Sequence, residues 1–454
     1  MMSLSETAAA IGARLHGADV RFSSVSSDSR TLAPGALFVA LRGERFDGHA
    51  FVGQAHGHGA VAAMVDGKAG ARIKDQGVPH LVVADTRLAL GQLAAHWRGR
   101  FDIPLVAVTG SNGKTTVKEM IAAILRAHYG ESGALATEGN LNNDIGLPLT
   151  LLRLREQHRA AVVELGMNHP GEIAYLAAIA APTVALVNNA QREHQEFLKS
   201  VADVAREHGA VLAALPQDGV AVINADDEFA GYWRGVASGR RIRDFGIAKP
   251  AQVGGRYAFT DFGSEIELSA PEGRIKTRLH VDGRHNVLNA CAAAASALAA
   301  GAGLEAVRGG LAAFRPVDGR LRRNTARSGT TVIDDSYNAN PDSVRAAVDV
   351  LAASTGRRLL VLGDMGEVGE RGVEFHAEVG RYAKERGIDR LYATGELCRH
   401  SADAFGEGAR HFAGIDDLVA AVRPELGPHT TVLVKGSRFM RMERVVAALG
   451  KESK

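Results

Sequence analysis

Between residues 105 and 227 the chain returns four times to a short, unbroken apolar run that ends in a small or polar residue: LVAVTG, AAVVELG, TVALVNN and GVAVINADD. A strand with one wet face alternates apolar and polar residues, whereas a strand apolar along its whole length is covered on both faces. Runs of this kind, spaced by helix-length segments, restrict the region to a parallel sheet between helices. Their polar ends then gather at the carboxyl edge of the sheet, where open α/β folds keep their functional loops.

The flanking segments carry related patterns. Before residue 100 an amphipathic helix pattern is followed by SSDSRTLAPGALFVAL, in which Pro34-Gly35 marks a turn before the strand LFVAL. AAMV and HLVVAD are two further strand candidates, and a helix over about 87–98 leads to FDIP. After GVAVINADD, residues 255–283 alternate and contain Gly and Pro turns, which predicts a small antiparallel insertion, and HNVLNACAAAASALAAGAG predicts a long helix. FRPVDGR then opens a third α/β unit with strands TTVIDD, RLLVLGD, RLYAT and TTVLVKG. A chain of 454 residues is too long for one core. The expected fold is three α/β domains: a small one over 1–100, a central parallel-sheet domain of P-loop ATPase type over 101–314, and a Rossmann-like domain over 315–454.

Lys and Arg number 53 against 51 Asp and Glu, a formal charge of +2, so the chain lacks the positive field of a nucleic-acid binder. Two cysteines give no disulfide framework, which suits a reducing compartment. No secretory leader pattern or membrane-spanning apolar run is present, and the sequence predicts a cytoplasmic protein without membrane insertion.

In VAVTGSNGKTTVKEM the first apolar run meets a helix former through a glycine turn. An ordinary P-loop places a glycine five residues before the one preceding Lys, and here that position is Val108. The chemistry is nevertheless that of a phosphate turn. Gly110 and Gly113 permit backbone conformations closed to other residues, so that N–H groups and a helix N-terminus converge on an anion. Lys114 would reach the β and γ phosphates, and the Thr115 hydroxyl would take a Mg²⁺ position. Glu164, closing AAVVELG near that turn, reads as a Mg²⁺ ligand, or else as a helix cap or solvated residue. His194 reads from its polar loop as merely exposed. Asn142 and Asn143 can donate and accept hydrogen bonds, or cap a turn. Asn286 reads as an N-cap.

TGSNGKTT resembles the TGTNGKTT turn of the ATP-dependent Mur ligases and their folylpolyglutamate synthetase relatives, a loop variant without the first P-loop glycine. The resemblance runs along the chain through SSDSRTLAPGALFVALRGERFDGHAF, GNLNNDIGLPLT, ELGMNHPGEI, GRHNVLNA and DDSYNANPDS. The motif set is most similar to the branch that joins D-alanyl-D-alanine to UDP-MurNAc-tripeptide. The DNPR motif of the diaminopimelate- or lysine-adding branches is absent, and YNANP stands instead. A folylpolyglutamate synthetase would start close to its ATPase domain, whereas here about 100 residues come first.

The resemblance implies ATP-driven amide ligation through an acyl phosphate, with Mg²⁺, by a monomer acting on small molecules. It implies a nucleotide turn of Thr109, Gly110, Ser111, Asn112, Gly113, Lys114, Thr115 and Thr116, and metal ligation by Thr115, Glu164 and His194. It gives Asn286 the adenine, Asp335 the ribose, and Arg320 an ATP phosphate reached on closure of the third domain. Asn142, Asn143, Tyr337, Asn338, Asn340 and Lys435 would line the substrate site, although Lys435 reads equally as solvated. Ser27, Asp28, Ser29, Arg30, Arg42, Gly43 and His49 would hold the uridine nucleotide. The domains become, in order, UDP-MurNAc-peptide-binding, ATP-binding and ligase. One feature departs from the family: fourteen residues after His194, where many Mur ligases carry a carbamylated lysine, stands His208. An imidazole forms no stable carbamate. His208 therefore holds a metal-bound water or simply caps or faces out of its helix, and dependence on carbon dioxide is not expected.

Overall fold

The computed structural model of the protein describes residues 1–450 apart from 45, 75–76, 261–262 and 327. Residue 45 of the RGERFDGHAF loop and residues 261–262 of the expected insertion thus lie outside the described residues.

Three helix-covered sheets make three α/β domains. The first has five strands in the order Arg14–His16, His80–Val83, Ala62–Asp66, Ala36–Val39, Ser24–Ser26, parallel except for the first pair. The central sheet has nine strands. Its functional half runs Val220–Asn224, Val184–Val187, Leu105–Thr109, Ala160–Glu164, Ala134–Ala136, all parallel. The four apolar runs are adjacent and fully buried, which is why they lack alternation. Their carboxyl ends converge on one edge, with Thr109 opposite Val187 and Val108 opposite Glu164.

The antiparallel segment is not a separate insertion. Val253–Thr260 pairs parallel with Arg241–Gly246, and hairpins to Gly263–Ala270 and Gly273–Leu279 carry the central sheet outward. Helix Arg284–Ala299 covers it, so close that a Cβ on Gly255 would stand 3.1 Å from Cys291 Sγ. The third sheet runs Arg322–Thr325, Thr331–Asp335, Thr430–Lys435, Arg357–Gly363, Arg390–Thr394, Ala409–Phe412, with the first pair antiparallel. Its four inner strands are those expected. The two edge strands carry Arg, Asn and His, as edges exposed to water do, and were invisible to an apolar pattern.

Apolar packing does not stop at the sheet boundaries. Leu90, Leu93 and Trp97 of helix Thr86–Arg98 share one core with Leu147, Leu151 and Leu176 of the central domain, and the Trp97 indole donates to the Leu154 carbonyl at 3.2 Å. Cys291 and Cys398 are both fully buried.

Candidate active site

Gly110 and Gly113 have φ of +135° and +83°, the left-handed region that the phosphate-turn reading demands. A Cβ on Gly113 would also lie 2.7 Å from Asn289 Oδ1 and 2.9 Å from Asn188 Nδ2. Gly113 is the cap of helix Lys114–Tyr129 and brings no side-chain hydrogen bond, so the first-turn N–H groups are left for an incoming anion. The turn is fastened to the loop after Val184–Val187: Ser111 N–H donates to Asn189 O at 3.0 Å, Gln191 N–H to Ser111 Oγ at 2.8 Å and Asn112 N–H to Asn189 Oδ1 at 2.8 Å. Lys114 folds back over the turn, its ammonium donating to Gly110 O at 2.5 Å and Ser111 O at 3.2 Å and lying 3.4 Å from Glu193 Oε2. Thr109, expected to face the nucleotide, is fully buried with its hydroxyl turned to Leu165 O and His208. Only its backbone can serve a ligand.

Glu164 is neither a cap nor solvated. It is 2% exposed, its Oε1 accepts from Asn142 Nδ2 at 2.8 Å, and its Oε2 is buried with no partner. An orphaned carboxylate oxygen beside a phosphate turn is a place for a cation. Asn143 is exposed and takes its capping alternative, with Oδ1 accepting from Ile145 and Gly146 N–H at 3.2 and 2.9 Å. His194 is largely buried rather than merely exposed. It is held at φ +49°, with Nδ1 2.5 Å from Glu367 Oε2 and Nε2 3.7 Å from Glu193 Oε2.

His208 neither caps its helix nor faces out of it. It lies mid-helix in Val201–Ala213, fully buried, with Nε2 2.8 Å from Glu193 Oε1 and Nδ1 2.9 Å from Thr109 Oγ1. Burial lowers its pKa against the pull of Glu193. Nε2–H donates to the carboxylate, while the one proton of the Thr109 hydroxyl is contested between Leu165 O at 3.1 Å and His208 Nδ1. Burial opposes the Glu193 charge, but Lys114, His208 and His194 outweigh it and hold its pKa at about 2.

Across the turn, a cavity of about 350 Å³ opens between the central and third domains. Asn112, Gly113, Thr116, Asn286, Arg320, Asp335 and Lys435 all line it, joined by His285 and Asn289. Asn286 is not an N-cap, a position held by Gly283. It lies inside the helix, donates to Asp282 O at 2.7 Å and accepts from Asn289 Nδ2 at 3.1 Å. Lys435, readable as solvated, is buried and bonded to Asp335 Oδ2 at 2.6 Å and Asn338 O at 2.8 Å. Burial lowers its pKa, with Asp335 opposing. The Arg320 guanidinium stacks 4.2 Å from the Tyr337 ring. Asn340 caps helix Pro341–Ala352 and exchanges amide hydrogen bonds with Asn112 at 3.0 and 3.3 Å, tying the phosphate turn to the third domain.

The N-terminal residues do not line that cavity. Asp28 and Arg30 form an exposed bidentate pair at 2.9 and 2.7 Å, and Ser29 Oγ reaches Gln54. Arg42 bridges Asp47 and Asp66 at 2.6 and 2.8 Å, and Gly43 N–H closes the loop on Phe46 O at 2.9 Å. Both His49 nitrogens are engaged, Nδ1 with Asp47 at 2.5 Å and Nε2 with the Asp66 N–H at 3.0 Å. His49 thereby also shapes this loop.

Three family models cover most of the chain: the Mur ligase family catalytic domain over residues 21–98, the Mur ligase middle domain over 108–297, and the Mur ligase glutamate ligase domain over 319–438. The chain is 43% identical to the UDP-N-acetylmuramoyl-tripeptide–D-alanyl-D-alanine ligase of Escherichia coli over 99% of its own length and 98% of that protein. It belongs to the Mur ligase family. Among solved Mur ligases, a crystal structure of MurF from Acinetobacter baumannii superposes with a TM-score of 0.90 at 34% identity, over 99% of this chain and 98% of that one. MurF ligase from Thermotoga maritima in complex with ADP gives 0.82 at 26% identity, over 94% and 97%.

Several polar groups of this Mur ligase site were not singled out by sequence. Asn188, Asn189 and Asn289 frame the turn, and Glu193 joins it to His208. Arg192 crosses to the third domain, where it pairs with Asp342 at 2.6 Å and Glu378 at 2.7 Å. For Asn188, Asn189, Arg192 and Glu193 the available signal was their crowding in NNAQREH, directly after a buried strand; Asn289 lies in HNVLNA, on the alanine-rich helix.

Proposed function

We propose that this Mur ligase joins D-alanyl-D-alanine to UDP-N-acetylmuramoyl-tripeptide at the expense of ATP, forming UDP-MurNAc-pentapeptide for peptidoglycan. The observation that carries the reading is the relation to the Escherichia coli ligase at 43% identity over nearly the whole of both chains. Residues 101–314 hold ATP, with the turn from Thr109 to Thr116 on the phosphates, Asn286 on the adenine and Asp335 on the ribose. Residues 1–100 hold the uridine nucleotide through Ser27, Asp28, Ser29, Arg30, Arg42, Gly43 and His49. Residues 315–454 close the site with Arg320, Tyr337, Asn338, Asn340 and Lys435, and Asn142 and Asn143 attend the tripeptide. Thr115, Glu164 and His194 would hold Mg²⁺, which neutralises charge at the transferring phosphoryl group. The partnerless Glu164 Oε2 fits that role.

The terminal carboxylate of the tripeptide attacks the γ-phosphorus. An O–P bond forms, the bond to the β-phosphate oxygen breaks, and ADP leaves. The amine of D-alanyl-D-alanine then attacks the acyl carbon and loses a proton, and phosphate departs. Two carboxylate reactants and a polyphosphate crowd the site with negative charge, which Lys114 and Arg320 offset. Enclosure between domains keeps water from the acyl phosphate. The enzyme acts in the cytoplasm as a monomer on small molecules, without nucleic acid; no helix among the described residues is long and apolar enough to cross a membrane. The test is ATP-dependent phosphate release and product mass with UDP-tripeptides bearing diaminopimelate or lysine. D-Alanyl-D-alanine should serve as acceptor; glutamate or a single D-alanine accepted in its place would overturn the reading.

A further inference from the structure

The chemistry above leaves Glu193 without a part, although its side chain is 7% exposed and sits between Lys114 of the phosphate turn and His194. Its two oxygens are held differently. Oε1 is fixed at 2.8 Å by His208, which is itself fully buried and braced by Thr109. Oε2 is held more loosely, by Lys114 at 3.4 Å and with His194 Nε2 at 3.7 Å. The Lys114 ammonium meanwhile sits on the carbonyls of Gly110 and Ser111, within the turn where phosphates would lie.

The three ammonium donors of Lys114 are taken by Gly110 O, Ser111 O and Glu193 Oε2, and the longest of these bonds, to Glu193, is the one a phosphate oxygen displaces most easily. A polyphosphate on the turn presents several anionic oxygens to the ammonium, against one carboxylate oxygen at 3.4 Å. Once the lysine swings to the phosphates, Oε2 is a buried anion without its cation, an unfavourable arrangement unless another positive charge arrives. His208 cannot follow the lysine, being locked on Oε1 and Thr109. What remains beside Oε2 is His194, its Nε2 3.7 Å away.

We propose that Glu193 exchanges cations when nucleotide binds: Oε2 releases Lys114 to the phosphates and takes a divalent metal ion, directly or through one water, while His208 keeps Oε1 in place. The inference rests on the ATP and Mg²⁺ reading of the site. It gives the metal a further anionic partner that belongs to the polypeptide, with no adduct of carbon dioxide at position 208. Lys114 and Glu193 neutralise each other until phosphate separates them.

The exchange is tested by Mn²⁺ binding to the full-length protein, read by electron paramagnetic resonance, with and without β,γ-methylene-ATP. In the nucleotide complex, Glu193→Gln should weaken Mn²⁺ binding by at least about tenfold, and Glu193→Asp, which keeps the charge, by less. Without nucleotide, Lys114→Met should bind Mn²⁺ at least about tenfold more tightly than the wild type, because Oε2 is already released. Adding Glu193→Gln to Lys114→Met should remove that gain. Equal Mn²⁺ affinity of wild type and Glu193→Gln with nucleotide, or no gain in Lys114→Met, would overturn the proposal. Thermal unfolding of each variant identifies any that fail to fold, and the Lys114→Met comparison stands without the glutamine variant. Failure of the wild type to bind β,γ-methylene-ATP would instead count against the nucleotide reading itself.

Discussion

The Lys114 ammonium bonds to carbonyls of its own loop, so removing it deprives the site of a charge without opening the core. Lys114→Ala should lower kcat/KM for ligation by at least about 10²–10³-fold, while the protein still unfolds cooperatively, at a lowered melting temperature because Glu193 loses a cation. Near-normal phosphate release by that variant would sink the assignment. At position 208 the expectation is a rate independent of added bicarbonate. His208→Ala should also cost about 1–3 kcal/mol, because it strips a buried carboxylate of its donor. A rate that climbs steeply with bicarbonate would contradict the first expectation, and an unchanged urea midpoint the second. The sequence pointed to His208 as a departure but could not say which way it faced. Glu193 was harder to find. A glutamate beside a histidine in a polar loop has no periodicity, and its burial shows only once helix Val201–Ala213 brings His208 against it.

Elements were legible where both faces are dry. The central strands, the inner strands of the third sheet and the helix after the phosphate turn lie within a residue or two of their expected places. Pattern failed at the sheet margins, where Arg322–Thr325 and Ala409–Phe412 are polar and short, and it mistook three outer strands of the central sheet for an insertion. Turn chemistry was the more reliable guide, because a positive φ leaves few residues to choose from. Gly113→Ala meets both a φ of +83° and a contact of 2.7 Å with Asn289. It should cost about 1–3 kcal/mol and weaken nucleotide binding more than it weakens the fold. Calorimetric titration with ADP beside urea unfolding checks this; unchanged ADP affinity would detach the turn from the phosphates.

Over the whole molecule, the third domain meets the loop of His194 through charge. Arg192 and Arg345 both donate to Glu378, and with the Arg192 bond foremost and burial opposing, the Glu378 pKa is lowered to about 2. In an unfolded chain it would titrate near about 4.3. The unfolded state therefore binds the proton first on acidification, so the stabilisation is complete above about pH 4.3 and drains away as pH falls towards about 2. Melting temperatures of wild type and Glu378→Gln should differ by a constant amount at neutral pH and converge below pH ~4; a gap that persists into acid would show that the pair does not fasten the domains. How far the domains travel is open to direct measurement because of the two cysteines. Burial pushes the Cys291 thiol up to about 12 and Cys398 well above its ordinary value, so neither offers a thiolate at neutral pH. The native enzyme should thus ignore maleimides, and a pair of cysteines placed on the surfaces of the first and third domains would take fluorophores alone, turning the unaltered background of this chain into a ruler for closure.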